Sequence, residues 1–453
     1  MNKDAFISAV RAAGIVGEGG AGFPAHVKYA AGADTVIANG CECEPLLHGD
    51  HHVMKHHAPA VCGALRALAD AVGAGWAVLA LKRKHGDLLA QLRAETEKNG
   101  LELFLLEDFY PAGDEQILVR EVTGRSVPPL GIPLNVGAVV ANVATLADVG
   151  AALGMGASDG AGRPMIMKTL TVTGDVRNPA VMRAPLGTPL AECLEACGGA
   201  ISRDAVFIIG GPMMGWVIGG PEALMREAVS KTTGGLIAVP HGHPLHLNAT
   251  RETAVLRRRA ASACIQCRAC SDLCPRNLIG HPFETHRVMR AFAAGAELES
   301  QGGAQAMICS ECGVCEQYAC PMGMSPRRIN QAVKAAMREN GLKYEGPREI
   351  CEESTRWRDY RKVPVKRLAS RLGIGRWLEM ETPFLGDLTP AEVRVSLRQH
   401  IGAAAVAVVE PGRRVTAGDL IGEIPEGALG ARVHAGISGT VTEVSDFVRI
   451  RRD

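Results

Sequence analysis

The stretch Cys264-Ile265-Gln266-Cys267-Arg268-Ala269-Cys270-Ser271-Asp272-Leu273-Cys274-Pro275 returns later in the chain as Cys309-Ser310-Glu311-Cys312-Gly313-Val314-Cys315-Glu316-Gln317-Tyr318-Ala319-Cys320-Pro321. Each copy sets three thiols three residues apart and a fourth just before a proline. A short loop of this kind wraps three corners of a cubane iron–sulfur cluster, and the last ligand arrives from elsewhere. Zinc is the alternative, but zinc sites use separated Cys-x2-4-Cys pairs. In two-cluster ferredoxins the fourth cysteine of each run serves the other cluster. The same exchange assigns Cys264, Cys267, Cys270 and Cys320 to one [4Fe–4S] cluster, and Cys309, Cys312, Cys315 and Cys274 to the other. The second copy departs in one respect, with four residues instead of three before its last cysteine. The other six cysteines (Cys41, Cys43, Cys62, Cys193, Cys197 and Cys351) form no ligand-like set, and most of them read as buried apolar residues.

Composition narrows what such a relay can serve. The chain has 453 residues, room for roughly three domains. Its 49 lysines and arginines against 48 acids give a net charge of +1, which supplies no field for a polyanion and excludes nucleic-acid binding as the main function. No apolar run is long and unbroken enough to span a bilayer, and Asp4 interrupts the apolar core that a secretory signal needs. A reducing cytoplasmic setting is expected, where cysteines are ligands or catalysts before they are disulfides.

The pattern along the chain is multidomain, mixing α/β and α+β. Residues 1–165 alternate helical segments (5–13, 58–72) with strands (35–38, 76–81), as an α/β layer domain does. Residues 166–240 are short strands (169–175, 206–209) around one helical piece (189–197), a small α+β module. Residues 250–345 hold the cysteine repeat with helical connectors such as 327–340. Residues 346–390 are charged and irregular, a linker candidate, and 391–453 are short glycine-punctuated strands, the look of a small barrel or sandwich. His48, His51, His52, His56 and His57 read as a solvated helix face, the alternative being a metal site at His52 and His56. Arg257, Arg258 and Arg259 read as a solvated face.

Gly17-Glu18-Gly19-Gly20-Ala21-Gly22-Phe23-Pro24 contains G-x-G-x-x-G, but a helical segment precedes it where a Rossmann fingerprint needs a strand. Glycine amides can still approach a phosphate or flat ring closely, with Lys28 following as a point charge. This loop resembles the FMN loop of the flavoprotein subunit of respiratory complex I and of its counterpart in Rnf electron-transport complexes. Asn39-Gly40-Cys41-Glu42-Cys43-Glu44-Pro45 is similar to that family's Asn-x-Asp-Glu-x-Glu-Pro segment. Tyr110-Pro111-Ala112-Gly113-Asp114-Glu115 resembles its Gly-Glu-Glu loop, and Ala141-Asn142-Val143-Ala144-Thr145-Leu146 its Asn-Asn-Val-Glu-Thr-Leu run. The resemblance implies an α/β FMN-binding domain in which Gly19, Gly20, Gly22, Lys28, Asn39, Glu42, Asn142 and Thr145 surround FMN, while Glu44 and Glu115 contact NADH. This chain departs at Cys41, Asp114 and Ala141, where the family has Asp, Glu and Asn.

The rest of the chain extends the likeness. Residues 169–174 with Pro212 resemble a soluble-ligand-binding β-grasp domain. The repeat resembles a helical ferredoxin-like domain with two [4Fe–4S] clusters, and the tail resembles a barrel-sandwich hybrid of the lipoyl type. Lys366 is the last lysine, so no swinging arm can be carried there. The barrel-sandwich module is C-terminal here and N-terminal in Rnf proteins. With 315–322 this order resembles the cobalamin reductases of propanediol-utilisation microcompartments. That resemblance implies electron flow from NADH through FMN and two clusters to a corrinoid, cob(II)alamin or cob(III)alamin. It also implies residence in or on a bacterial microcompartment, with shell or cobalamin adenosyltransferase proteins as partners. An Rnf-like peripheral protein and a non-enzymatic electron-transfer module are the competing expectations. No nucleophile or general-base triad is expected, and none is visible.

Overall fold

The computed structural model describes residues 1–453, the side chain of Gln301 excepted. Its first layer is a parallel sheet of β1 (Thr35–Gly40), β2 (Trp76–Lys82), β3 (Glu102–Leu106) and, after the short β4 (Phe109–Tyr110), β5 (Ala138–Asn142), ordered β3-β2-β1-β5. Parallel strands are covered on both faces, so their sequences are near-continuous apolar runs. Along β1, Val36 and Ala38 join the core beneath the helices Lys3–Ala12, Gly49–Val72 and Val143–Ala152. Ile37, pointing the other way, joins the core under Glu115–Thr123. The chain steps outward from β1 to β2 and β3, then returns to place β5 on the other side of β1. The gap between the carboxyl ends of β1 and β5 is therefore the topological switch point, where open α/β sheets hold ligands.

The helix Gly49–Val72 begins earlier than its apolar periodicity suggests and bends at His57, just before Pro59. The bend turns His52 inward. It is buried and stacks on Phe384 with ring centroids 4.2 Å apart, so the histidine cluster is only partly a solvated face.

The second module is a sheet of β6 (Met167–Gly174), β7 (Ala180–Pro185), β8 (Val206–Ile209), β9 (Trp216–Ile218) and β10 (Gly235–Val239), packed on the helix Leu190–Ala196. Three helices, Thr253–Ala263, Thr285–Ala294 and Pro326–Glu339, frame the cysteine repeat over their own core.

Residues 346–390, expected as a linker, are instead packed against the first domain and the second module. β11 (Val363–Pro364) pairs with β4 of the first domain, and β12 (Phe384–Asp387) adds a parallel edge to β7. Between them the helix Val365–Leu372 buries Val365, Leu368, Ala369 and Leu372 in a core shared with Tyr110, Met213 and Cys312. An apolar stripe at helical spacing inside a charged sequence produces this docking. The chain ends in two small antiparallel sheets closing over one apolar core, built from Glu392–Ser396 through Phe447–Arg451. Among the described residues no helix is long and apolar enough to cross a membrane.

Lys231 locks three of these modules together. It is fully buried, and its Nζ donates to the carbonyl oxygens of Gly14 and Arg432 at 2.6 Å each, while its backbone N–H donates to Gln399 Oε1 at 3.0 Å. Burial pulls its pKa down to about 7. A neutral amine has two N–H donors, and two carbonyls receive them. Between pH 7 and the ordinary lysine value near ~10.4 the unfolded chain holds a proton that the folded chain has released, so folding strengthens as pH rises through this window. Lys231→Met strands two buried carbonyls and is expected to cost about 1–3 kcal/mol. Thermal unfolding from pH 7 to 10 checks this: the gap between wild type and variant widens with pH, and a pH-independent gap contradicts it.

Candidate redox site

The switch point gathers the flavin residues expected from sequence. Asn39 and Asn142 are register partners at the carboxyl ends of β1 and β5. The Asn39 amide donates to the Gly113 carbonyl at 2.9 Å, and its oxygen accepts from the Cys41 N–H at 3.2 Å. Asn142 caps the helix Val143–Ala152 by accepting from the Ala144 N–H, and its amide donates to Asp50 at 2.9 Å. Glu42 receives the Asp50 and His51 N–H groups at 2.9 and 3.0 Å, closing the start of the long helix as a carboxylate does at a helix N-terminus.

The glycine loop lies across this edge. It is pinned by the Gly17 N–H donating to the Phe23 carbonyl at 2.9 Å and by the Glu18 N–H donating to Thr145 Oγ1 at 3.0 Å. A Cβ at Gly19 would press on Asn142 at 3.2 Å, whereas one at Gly20 would meet nothing within 4 Å. Gly22 takes φ +72° and backs onto Thr232 and the His400 backbone, so the C-terminal module closes the loop from behind. The result is a backbone-lined cradle, open at Gly20, with amide side chains at its floor: a fit for a phosphate and a flat polar ring. Lys28 and Glu115, assigned to different ligands, meet at its rim in a 2.6 Å ion pair.

Sequence reasoning missed the acids below the cradle. Glu18 pairs with buried Lys168, and burial, reinforced by the Glu42 charge, pushes Asp50 well above the usual carboxylate range. Glu18 stands inside the quoted loop, but nothing local marks its partner 150 residues away. Glu44 also has a second occupation: its carboxylate accepts from the Met213 and Met214 N–H groups at 2.8 Å each, joining the first domain to the turn after β8, and burial pushes it up to about 7.

The eight repeat cysteines fall into two groups. Cys264, Cys267, Cys270 and Cys320 surround one small cavity. Burial, then the neighbouring Cys320, Cys264 and Cys267 thiols, push Cys270 up to about 12. Cys274, Cys309, Cys312 and Cys315 form the second group, each raised above the ordinary thiol value by burial, and Cys315 also by the other three. Thiols this reluctant to ionise need cationic metal to become thiolates. Among the described residues no three His, Cys, Asp or Glu side chains converge on a single-ion position. The donor set fits iron–sulfur cubanes.

Local geometry explains both loops. Gln266 and Glu311, each two residues past the first cysteine, and Arg268 and Gly313, each one past the second, all take positive φ, curling the loops so that the thiols face inward. The longer spacing in the second copy is absorbed by one wide π turn, Cys315–Ala319, where the first copy has the α turn Ala269–Asp272. Cys274 and Cys320 then reach the same extended conformation before proline, φ −70° and −76°.

The groups differ in depth. Cys274, Cys312 and Cys315 are buried, while Cys267 is exposed. The inner group lies against the flavin domain: Tyr110 OH donates to the Cys312 carbonyl at 2.8 Å, and Arg276, two residues past Cys274, grips Asp114 at 2.8 and 2.9 Å. Asp114, where the family has Glu, thus caps the helix Glu115–Thr123 and holds the cluster domain at once. Cys320→Ser and Cys264→Ser are expected to lose the same cluster, and Cys274→Ser and Cys315→Ser the other, each falling from about eight irons to about four. EPR of the reduced protein, with iron analysis beside it, checks the exchange; loss of the same cluster signal in Cys264→Ser and Cys274→Ser contradicts it.

Comparison with known proteins agrees with this geometry. Residues 10–151 match the Nuo51 FMN-binding domain, 169–217 the SLBB domain, 263–325 a 4Fe-4S dicluster domain and 381–452 the RnfC barrel sandwich hybrid domain. The chain is 41% identical over 447 residues to cobalamin reductase PduS of Salmonella typhimurium, covering 98% of this chain and 96% of that one. It is also 41% identical to PduS of Citrobacter freundii, covering 96% and 94%. One component of the Na(+)-translocating ferredoxin:NAD(+) oxidoreductase complex of Acetobacterium woodii is 34% identical over 61% of this chain and 59% of its own length. A chain of the NAD+-reducing [NiFe]-hydrogenase in its H2-reduced state aligns with TM-score 0.50 and 25% identity, covering 77% of this chain and 64% of that one. With a cradle for flavin, two four-thiol groups and near-full-length identity at this level, the chain belongs to the PduS cobalamin reductase family.

Proposed function

We propose that the protein passes electrons from NADH through FMN and two [4Fe–4S] clusters to a corrinoid, as a cobalamin reductase. The observation that carries this reading is the stepped placement of the thiols, one group buried against the flavin domain and the other reaching the surface. FMN, when bound, accepts a hydride's two electrons and releases them singly, and the clusters relay them one at a time. The chain's own residues position this chemistry. The amides of Gly19, Gly20 and Gly22 with Lys28 would hold the flavin phosphate, and Asn39, Glu42, Asn142 and Thr145 would set the ring. Of the two glutamates assigned to the nicotinamide nucleotide, Glu115 stands exposed at the rim, and Glu44 acts from the joint it makes with Met213 and Met214.

The cysteine groups Cys274, Cys309, Cys312, Cys315 and Cys264, Cys267, Cys270, Cys320 would hold the inner and outer clusters. N–H donors aim at their sulfurs, Glu311 N to Cys309 at 3.3 Å and Met324 N to Cys320 at 3.4 Å, and such bonds tune potential. The electrons balance as one NADH and two cob(III)alamin giving NAD+, one proton and two cob(II)alamin. Domain limits of 1–165, 166–240, 250–345 and 391–453 follow the same assignment. Residence in a bacterial microcompartment, with shell or adenosyltransferase proteins nearby, rests on the resemblance to the propanediol-utilisation reductases.

Anaerobic titration with NADH tests the reading. Cluster absorbance is expected to bleach, and added hydroxocobalamin to convert to cob(II)alamin at about two per NADH. A protein that takes up no flavin on anaerobic reconstitution, or whose clusters stay oxidised under NADH, contradicts it.

A further inference from the structure

A cleft of about 1170 Å3 opens beside the outer cysteine group. One wall comes from the cluster domain, with Arg268, Glu284 and Arg287. The other comes from residues 341–361, with Tyr344, Trp357 and Arg361. Arg268, between Cys267 and Cys270, lines both this cleft and the cavity ringed by the outer thiols, so the two spaces meet at one side chain. The cleft exceeds the ~300–1,000 Å3 typical of drug-sized ligands.

Its chemistry is specific. Four basic and five acidic side chains line it, and the cations nearest the cluster are neutralised: Arg268 and Arg287 both bind Glu284, at 2.9 and 2.6 Å. A polyphosphate would find little net field there. A ligand fringed with amides, which donate and accept alike, would find partners of both kinds. Trp357 offers a half-exposed ring, 57% accessible, with the Arg361 guanidinium 5.9 Å from its centroid. In the floor, His281 is buried at 1% exposure; its Nε2–H donates to the Val127 carbonyl at 2.8 Å, and its Nδ1 has no partner in the chain. Burial pushes His281 down to about 4, so Nδ1 presents a lone pair at neutral pH.

We propose that this cleft is the corrinoid site, with the amide-fringed macrocycle lying against Trp357 and its edge toward Arg268 and the outer cluster. The proposal rests on the cobalamin reductase reading and locates its substrate. Each corrinoid takes one electron, Co(III) becoming Co(II), with NADH as the source and one proton released for every two corrinoids. Cys351, an exposed thiol on the cleft wall outside both cysteine groups, provides a reporter.

Cyanocobalamin is the probe, because its cobalt coordination is filled and it binds without turnover. In oxidised holoprotein under argon, saturating cyanocobalamin is expected to slow iodoacetamide labelling of Cys351, read by peptide mass spectrometry, roughly tenfold. Trp357→Ala is expected to weaken cyanocobalamin binding in equilibrium dialysis roughly tenfold with flavin and cluster absorbance intact. Wild-type holoprotein that binds cyanocobalamin and reduces hydroxocobalamin, while Cys351 labels at the free rate and Trp357→Ala binds as tightly, overturns the cleft alone. Wild-type holoprotein that neither binds nor reduces corrinoid overturns both the cleft and the functional reading.

Discussion

Arg276 follows Cys274 and Pro275 and places two guanidinium nitrogens on the Asp114 carboxylate, with both side chains largely out of water. A bidentate pair of this kind fixes distance and orientation together. On one side, Asp114 starts the helix beside the flavin cradle. On the other, Arg276 is two residues from Cys274 of the buried cysteine group. Tyr110, whose hydroxyl reaches the Cys312 carbonyl, makes a second stitch across the same seam. Removing either partner of the Asp114–Arg276 pair leaves a buried charge without its counter-ion, a loss of about 3–5 kcal/mol and of the alignment between the two redox domains.

The relay gains direction from burial. Of the inner thiols, Cys312 shares a core with Leu46, Tyr110 and Met213, and Cys274 and Cys315 are also buried, while the outer group is bordered by Ile265 at 61% and Met322 at 40% exposure. Solvent exposure and N–H donors to sulfur are the levers that set cluster potentials. A buried first acceptor is shielded from solvent, and an exposed second one can meet a substrate. Lys231 and Glu44 serve the same end at a distance: each uses a buried polar group to hold one domain to another, where a flexible hinge would let the cofactor spacing drift.

How much of this was legible in the sequence differs from residue to residue. The grouping of the thiols was, because repeat spacing is set by loop geometry within a dozen residues. The order of four motifs pointed to the flavin edge, since Asn39 and Asn142 each end a strand and parallel register brings them together. The x4 spacing before Cys320 departs from the first copy; a single π turn absorbs it, and no residue in Glu316-Gln317-Tyr318-Ala319 announces such a turn. The packed role of 346–390 was hidden by its surface charge, with the apolar stripe of Val365, Leu368 and Leu372 too short to stand out. Lys231 with Gly14 and Arg432, Glu18 with Lys168, and Asp114 with Arg276 are pairs separated by 150 residues or more. Their residue types are ordinary, so only the fold reveals them.

The central claim is that electrons leave the flavin domain through the inner cluster and reach the corrinoid only by way of the outer one. Cys264→Ser holoprotein, pulsed anaerobically with NADH and then given hydroxocobalamin, tests it by freeze-quench EPR with parallel visible spectra. The relay predicts a reduced inner cluster and no cob(II)alamin signal. Cob(II)alamin formed at the wild-type rate in the absence of the outer cluster contradicts it.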